Sequence, residues 1–459
     1  MVNRYRREEA QKGGHQVDEE ELKRVVEQAM AEEAAGLSEA ASAFVKGLLN
    51  GRAVEAEKAF RAKILSFGGK LAGKAMERAD GELRRRLRRR GHRDEQGKQC
   101  RGRLRSKGIK DKTIQTLLGD MEVGRWTCEC ADCGKWMGSV EELLGVENGM
   151  SAACGSVTGM AAVTVAYAPA EEVLWELAGI RVDDNCIQRM VGVLSRHAEP
   201  WMRETAEKLP SKESLPGRGE RAYVLMDGGR IRLREEGSNP WREPCTALVV
   251  WERSEGKWVR YGSSDPCNKE PVIKWLDKWM ELLQRGGMEV VIIADGAEWI
   301  WQWALKYPWA IPILDYYHLK ENVWKAARVL HGEGTPEAAG WVRCLMDGLW
   351  RGQVDATIEM LDETKVTGPT KEQKCQALDR LIAFLDTNDY LIKYAHHRRA
   401  GRWTGSGTIE SFCKQLFTMR MKGPGMFWTE SGARALMTLR TVYLTGHWGE
   451  LWNSHRRVA

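Results

Sequence analysis

The stretch 288–323, MEVVIIADGAEWIWQWALKYPWAIPILDYYHLKENV, restricts the fold more than any other part of the chain. Residues 289–294 are a nearly unbroken apolar run, β-branched in the middle, which is the pattern of a strand buried on both faces. The run stops at Asp295-Gly296. A second apolar run, 310–314, stops at Asp315, and the segment 297–306 between them has the length of a helix. Strand, helix, strand builds a parallel pair. An acid at the carboxyl end of each strand stands where open α/β sheets place their ligands. Upstream, the apolar run 222–226 also ends in an acid, at Asp227-Gly228-Gly229. A single Asp-Gly is an ordinary turn signal. Three such acids in one domain point to a site.

The neighbouring segments extend the pattern. Strands are expected at 221–232, 246–252 and 257–262, the last two joined by the short turn 253–256, and a helix at 270–284. Three antiparallel strands, a helix, a strand, a helix and a strand make up the order of a ribonuclease H-like α/β core. From Leu319 to about Arg399 no strand pattern occurs. Thr335-Pro336 starts one helix with a cap and an N1 proline, and Thr370-x-x-Gln373 forms a capping box for another. This is an all-helical insertion. The sheet domain resumes at GRWTGSGTIESFCKQLFTMRMK (401–422), where glycines lead into a helix beginning near Thr408 with Glu410 in its first turn. The tryptophans at 299, 301, 303 and 309 are expected to pack in the core and at element contacts.

Before the core, residues 17–80 have helical spacing, with breaks expected at Gly36, Gly51 and Phe67-Gly68-Gly69. The chain then turns basic, in GELRRRLRRRGHR (81–93) and KQCRGRLRSKGIKDK (98–112). A charge run is commonly a solvated helix face. Few acids interrupt this one, so Arg84, Arg85, Arg86, Arg88, Arg89, Arg90, Arg101, Arg103 and Arg105 are candidates for contact with a DNA phosphate backbone. The net charge of +6 is modest; its placement matters more.

Eleven cysteines, an odd number spread along 459 residues, argue for thiols and a metal rather than a disulfide framework. In RWTCECADCGKW, Cys130-x-x-Cys133-Gly is half of a zinc knuckle, because a two-residue spacer lets both thiolates face one tetrahedral ion. The candidate zinc set is Cys100, Cys128, Cys130 and Cys133. Its other half is incomplete: Cys100 is followed by Arg-Gly, so Cys128, His92 or Cys154 must complete the site. Unligated thiols in a degenerate knuckle are the alternative. Further on, a short helix (169–178), a glycine turn (179–182) and a second helix capped by Asp183 outline a helix-turn-helix, an outline shared by many helical hairpins. The stretch 210–220, PSKESLPGRGE, is the clearest linker.

The expected architecture is therefore multidomain α+β. A helical and basic region (1–112) precedes a cysteine segment (113–150) and a helical segment that is a candidate DNA-binding helix-turn-helix (151–210). The ribonuclease H-like core (221–318) is followed by the helical insertion (319–400) and the core's C-terminal helices (401–459). No run approaches the roughly eighteen apolar residues of a membrane span. The charged N-terminus lacks a hydrophobic signal region, so a cytoplasmic protein with no membrane partner is expected.

Asp227 and Asp295 end the first and fourth core strands, which are neighbours in that topology. Two carboxylates about 5 Å apart repel by roughly 3 kcal/mol at an effective dielectric near 20, so a proton or cation between them is favoured. An oxygen-only set selects Mg²⁺ or Mn²⁺, and a pair of such ions serves phosphodiester cleavage. Glu410 is the third ligand candidate. Asp315 and His318, three residues apart, either orient DNA beside the ions or cap the next helix.

The strings LMDGGRI, IIADGAEWIW, LDYYHLKENVW and GSGTIESFCKQLFTMRMKGPGMFW, in this order, resemble bacterial insertion-sequence DDE transposases of the ISKra-type group, allied to the Mutator-like elements. The resemblance runs from about Thr113 to the tail. It implies a DDE triad of Asp227, Asp295 and Glu410, an Asp-x-x-His at Asp315 and His318, and a helical insertion before the glutamate. It places the family's Gly-Met-x-Trp on Gly425, Met426 and Trp428. The activity implied is Mg²⁺-dependent cleavage at transposon ends and strand transfer into target DNA. Its partners would be double-stranded terminal inverted repeats, target DNA and further copies of the chain, at the bacterial nucleoid. Two rivals are a domesticated, non-catalytic DNA-binding protein and a ribonuclease H-like nuclease that cleaves without joining.

Overall fold

A computed structural model describes residues 19–94, 98–208, 219–234, 240–253 and 256–458. Most of the expected linker 210–220, and the middle of the turn 253–256, lie outside the described residues. The chain divides into two compact units, Met1–His197 with Gly449–Ala459, and Ala198–Trp448.

In the first unit, α1 (Glu19–Leu49) and α2 (Ala53–Arg90) form a hairpin turned at Gly51, whose φ of +71° suits glycine. Phe44 and Phe60 stack across it at 5.3 Å. A ribbon of β1 (His92–Arg93) and β2 (Gln99–Cys100) follows, then an antiparallel sheet of β3 (Leu104–Thr116), β4 (Gly119–Cys130) and β5 (Trp136–Gly138). The remaining elements are α3 (Ser139–Leu144), α4 (Ala152–Thr164), α5 (Tyr167–Val173) with a π-helical turn Leu174–Ala178, and α6 (Asp184–Lys208), whose residues from Ala198 on belong to the second unit.

Two sequence expectations fail here. The segment 98–112, which falls in the expected helical region, is largely strand. Its apolar side chains are too sparse for a helical face, and the strand is held by its antiparallel pairing with β4, with residues 105–111 exposed. The glycines at 36, 68 and 69 do not break helices either: α1 and α2 run through them. Gly69 and Gly73 instead let α2 lie against β4, since a Cβ on either would stand 2.2 Å from Asp120 O or 2.1 Å from Glu122 O. Along that contact Ile114, Met121, Val123 and Val140 form one apolar cluster, with Ala72, Met76 and Leu83 of the helix packed on it. The buried Asp80 carboxylate accepts hydrogen bonds from Ser139 Oγ (2.6 Å) and Trp126 N (3.3 Å) and pairs with Arg84. A buried charge is tolerated because each oxygen is occupied.

The second unit is built on one five-stranded mixed sheet. Its strands are β6 (Arg221–Gly228), β9 (Cys245–Glu252), β10 (Trp258–Asp265), β11 (Glu289–Ala294) and β12 (Ile311–Leu314), in the order β10-β9-β6-β11-β12. A small ribbon, β7 (Ile231–Arg232) with β8 (Trp241–Arg242), stands apart from it, so the first expected strand ends before Gly229. β6, β9 and β10 pair antiparallel, while β6, β11 and β12 run parallel.

Helix α7 (Glu270–Arg285) bridges β10 and β11, and α8 (Glu298–Ala304) bridges β11 and β12. α7 buries Val272, Trp275, Leu276, Trp279, Met280 and Leu283 at three- and four-residue spacing, each side chain contributing roughly 1.5–3 kcal/mol. Trp279 packs against Trp251 and Tyr261 of the sheet. Trp301 and Trp303 are buried, and Trp303 Nε1–H donates to Asp277 Oδ1 (2.8 Å).

After β12 come α9 (Tyr316–His331), α10 (Pro336–Trp350), α11 (Val354–Asp362), α12 (Lys371–Thr387) and α13 (Tyr394–Arg399). No strand interrupts these described residues. Thr335 caps α10 by accepting from Ala338 N (3.1 Å), but Thr370 makes no side-chain cap, because its ψ of 21° turns its oxygen off the helix end. The chain then returns through 400–406 into α14 (Gly407–Cys413), a π-helical turn Lys414–Thr418, α15 (Met419–Met421) and α16 (Glu430–Leu444), which packs on β10; α17 (Trp448–Val458) ends the described chain. Among the described residues, no helix is long and apolar enough to cross a membrane.

Candidate active site and candidate metal centre

The register of the parallel strands fixes the acids. Ala294 of β11 is paired with Met226 of β6 on one side and with Leu314 of β12 on the other. Asp227, Asp295 and Asp315 therefore follow at the same level on three adjacent strands, whose spacing is about 4.8 Å. Asp227 Oδ1 accepts from Gly228 N (2.7 Å), and Asp295 Oδ1 accepts from Ala297 N (3.0 Å), so both carboxylates are steadied by their own turns.

Glu410 comes back to this sheet edge through Asp315. The buried Asp315 carboxylate caps α9 by accepting from His318 N (2.7 Å) with one oxygen, and accepts from Ser406 N (2.6 Å) with the other. Beside it, Tyr316 N donates to Thr404 O (3.0 Å). Ser406 Oγ–H in turn donates to Glu410 Oε1 (2.7 Å). Helix α14 packs on β6, and one turn beyond Glu410 the Cys413 thiol hydrogen-bonds to the Asp227 carboxylate. Asp315 thus caps the next helix and at the same time tethers the returning chain at Ser406.

At the opposite end of the same strands, Glu289 is shared by Arg221 and Arg402 (Arg402 Nη2, 2.8 Å), and Arg221 donates to Gly401 O (2.6 Å) and Ala400 O (2.8 Å). Trp403 stacks on Tyr223 at 4.0 Å. The return segment is thus held at both ends of the sheet. His318 stands beside the Asp295 turn: a Cβ on Gly296 would lie 3.3 Å from its Nε2.

Burial, with smaller contributions from the Asp295 and Glu410 charges, raises the Asp227 carboxyl from 3.8 to about 6, against the lowering effect of its hydrogen bonds. Burial pushes the Cys413 thiol far above its ordinary range. The three carboxylates Asp227, Asp295 and Glu410 do not close to the 4.8 Å mutual spacing found in the cysteine cluster described next. Like charges stand apart, and Glu410 leans to Ser406. The donor set is all oxygen on two strand ends and the helix packed against them, which fits a hard divalent ion such as Mg²⁺ or Mn²⁺.

The first unit holds a different cluster. His92, Cys100, Cys130 and Cys133 bring their ligand atoms within 4.8 Å of one another. Cys128 is not among them. It faces an apolar cluster with Leu87, Trp126 and Met137, where burial lifts its thiol to about 11. Cys154 is buried on α4, its thiol likewise lifted to about 12. The place assigned to Cys128 goes to His92, which the β1–β2 ribbon sets directly opposite Cys100. A separation of eight residues lies outside knuckle spacing, so the strand pairing is what selects His92 from the three candidates.

The arginine run is less free than its composition implies. Arg84 pairs with Asp80, and Arg85, Arg86 and Arg89 gather on Glu82, whose carboxyl they hold below its usual range. Arg88 lies over the Trp126 ring at 5.3 Å. The acids that meet the arginines sit three, four and seven residues back on the same helix. One Glu82 still serves three guanidiniums, so positive charge remains. Arg101, Arg103 and Arg105 are exposed at the start of the sheet.

The outline 169–183 keeps its shape. Gly179 (φ +69°) ends the π-helical turn, and Asp183 Oδ1 accepts from Cys186 N (2.5 Å) to cap α6.

The chain matches no protein-family model and no curated protein. Among solved structures, the Drosophila P element transposase strand transfer complex is similar at a TM-score of 0.24 and 8% identity, over 66% of this chain and 80% of that one. A likeness at that level carries no argument about this chain.

Proposed function

We propose that the chain is a DNA transposase of the bacterial insertion-sequence DDE class, ISKra-type, working in the cytoplasm at the nucleoid. Its second unit would be a ribonuclease H-like core with Asp227, Asp295 and Glu410 as the catalytic triad. The observation that carries the reading is the pairing of β6 with β11, which sets Asp227 beside Asp295, while the helix bearing Glu410 packs on β6. The sheet order β10-β9-β6-β11-β12 supports the same core, as does the motif resemblance from Asp227 onward.

The three carboxylates would hold Mg²⁺ or Mn²⁺, which when bound lowers the proton affinity of an attacking hydroxyl and neutralises charge on the leaving oxygen. The chain's own residues do the positioning. Asp315 and Ser406 fix where Glu410 starts, and Cys413 and Gly228 orient Asp227. Water attack at the transposon end would break the P–O3′ bond and free a 3′-hydroxyl, which then attacks a target phosphodiester and displaces the target strand's own 3′-oxygen as a hydroxyl. Net positive charge at Arg85, Arg86, Arg89 and the exposed Arg101, Arg103 and Arg105 would serve duplex binding, and synapsis of two ends calls for more than one copy.

The test is incubation of the full chain and Mg²⁺ with labelled duplexes of the DNA that flanks its gene. Joined products support the reading. Nicks without joining replace it with a nuclease, and binding without cleavage replaces it with a non-catalytic DNA-binding protein. Glu410→Gln is expected to bind the same duplexes and leave them whole.

A further inference from the structure

We propose that His92, Cys100, Cys130 and Cys133 form a structural zinc site that fixes the basic end of α2 and the start of β3. It lies in the first unit and is independent of the reading of the acids.

The spacing is that of a tetrahedral centre. With Zn–S near 2.3 Å, two thiolates on one ion stand about 3.8 Å apart. Cys100 Sγ and Cys130 Sγ are 3.7 Å apart, far beyond the roughly 2.05 Å of a disulfide. His92 Nε2 is 3.1 Å from Cys133 Sγ. One half of the site is the Cys130-x-x-Cys133 turn and the other a cross-strand pair, His92 opposite Cys100.

The backbone is arranged around the sulfurs. Gly102 N–H points at Cys100 Sγ (3.4 Å) and Asp132 N–H at Cys130 Sγ (3.4 Å), the outer contacts that steady thiolate ligands. Gly102 also has to be small, since a Cβ there would sit 2.5 Å from Cys130 Sγ. Three sulfurs and one imidazole, with His92 and Cys130 buried and Cys100 and Cys133 half-buried, make a closed soft set suited to zinc.

The apolar cluster beside it is small, formed by Leu87, Trp126, Cys128, Cys130 and Met137. An ion there would join what that cluster holds weakly. Arg88, Arg89 and Arg90 end just before His92, and Arg101, Arg103 and Arg105 begin just after Cys100. One centre therefore sets the direction of both basic segments.

The full chain, purified from zinc-supplemented cells, is analysed by plasma mass spectrometry and by thiol titration in denatured and native states. One zinc per chain is expected, with Cys100, Cys130 and Cys133 protected until the ion is removed. Cys100→Ser and Cys130→Ser should lose the zinc. Cys128→Ser should keep it, and so should His92→Cys, which leaves a four-cysteine site and guards against a misfolded Cys130→Ser. Refilling with Co²⁺ should give the visible bands of a tetrahedral thiolate complex. A metal-free wild type with freely titrating thiols overturns the proposal. So do iron in place of zinc, a Cys100–Cys130 disulfide, or loss of metal in Cys128→Ser but not in Cys100→Ser.

Discussion

Asp227→Asn is expected to stabilise the second unit when divalent ions are absent, while removing one of the three proposed metal ligands. The folded state raises this carboxyl from 3.8 to about 6, chiefly by burial. At about 1.36 kcal/mol per pH unit, that is a penalty of roughly 3 kcal/mol on the ionised form. The sign follows from linkage. Below the unfolded value near 3.8 both states carry the proton and no penalty exists. Stability is lost as pH rises through about 6, and the loss is complete by about pH 8. Asparagine carries no charge at any pH, so the variant escapes the loss. In a chelating buffer at pH 8 its melting temperature should exceed that of the wild type by roughly 6–12 °C, with about half that gain near pH 5. Mg²⁺ or Mn²⁺ should raise the wild type and leave the variant unmoved. Scanning calorimetry of both proteins at the two pH values, with and without ion, decides the matter. A variant that melts lower at pH 8 without ions, or a gain that is equal at pH 5 and pH 8, refutes the electrostatic account of the site.

Ser406→Ala removes the hydroxyl that holds Glu410 but keeps the backbone bond to Asp315, so the proposed DNA cleavage should slow by on the order of tenfold or more with little change in melting temperature. Asp315→Ala leaves two N–H groups without their acceptor and should lower both, at about 1–3 kcal/mol for each buried donor, read by denaturant titration. In α2, Gly73→Ala sets a methyl 2.1 Å from Glu122 O and should cost about 3 kcal/mol, whereas Gly81→Ala meets nothing within 4 Å and should gain up to about 1 kcal/mol; paired melting curves of the two variants test this.

The sheet was the most legible part of the chain. The run 289–294 coincides with β11, because a strand buried on both faces writes itself as continuous apolar residues bounded by a turn. Glu410 near the start of a helix was legible from the glycines before it. The tether through Ser406 was not, since it depends on a backbone N–H meeting an aspartate 91 residues away. His92 was one of three residues left open to complete the cysteine site, because a cross-strand pairing is a matter of register rather than spacing. The glycines of α2 misled for a related reason. Gly69 lowers helix propensity in isolation, yet here it serves contact with a strand that sequence alone does not place beside it.

The Tyr316–Thr404 and Asp315–Ser406 bonds have one more consequence. Chain departs from and re-enters the sheet through a doorway a single hydrogen bond wide. Once such a doorway is shut, doubling the length of what lies beyond it adds only about 0.6 kcal/mol of closure entropy. The helices on the far side are thus free to grow in number without displacing the glutamate, and the sheet sets almost no limit on how large that annex becomes.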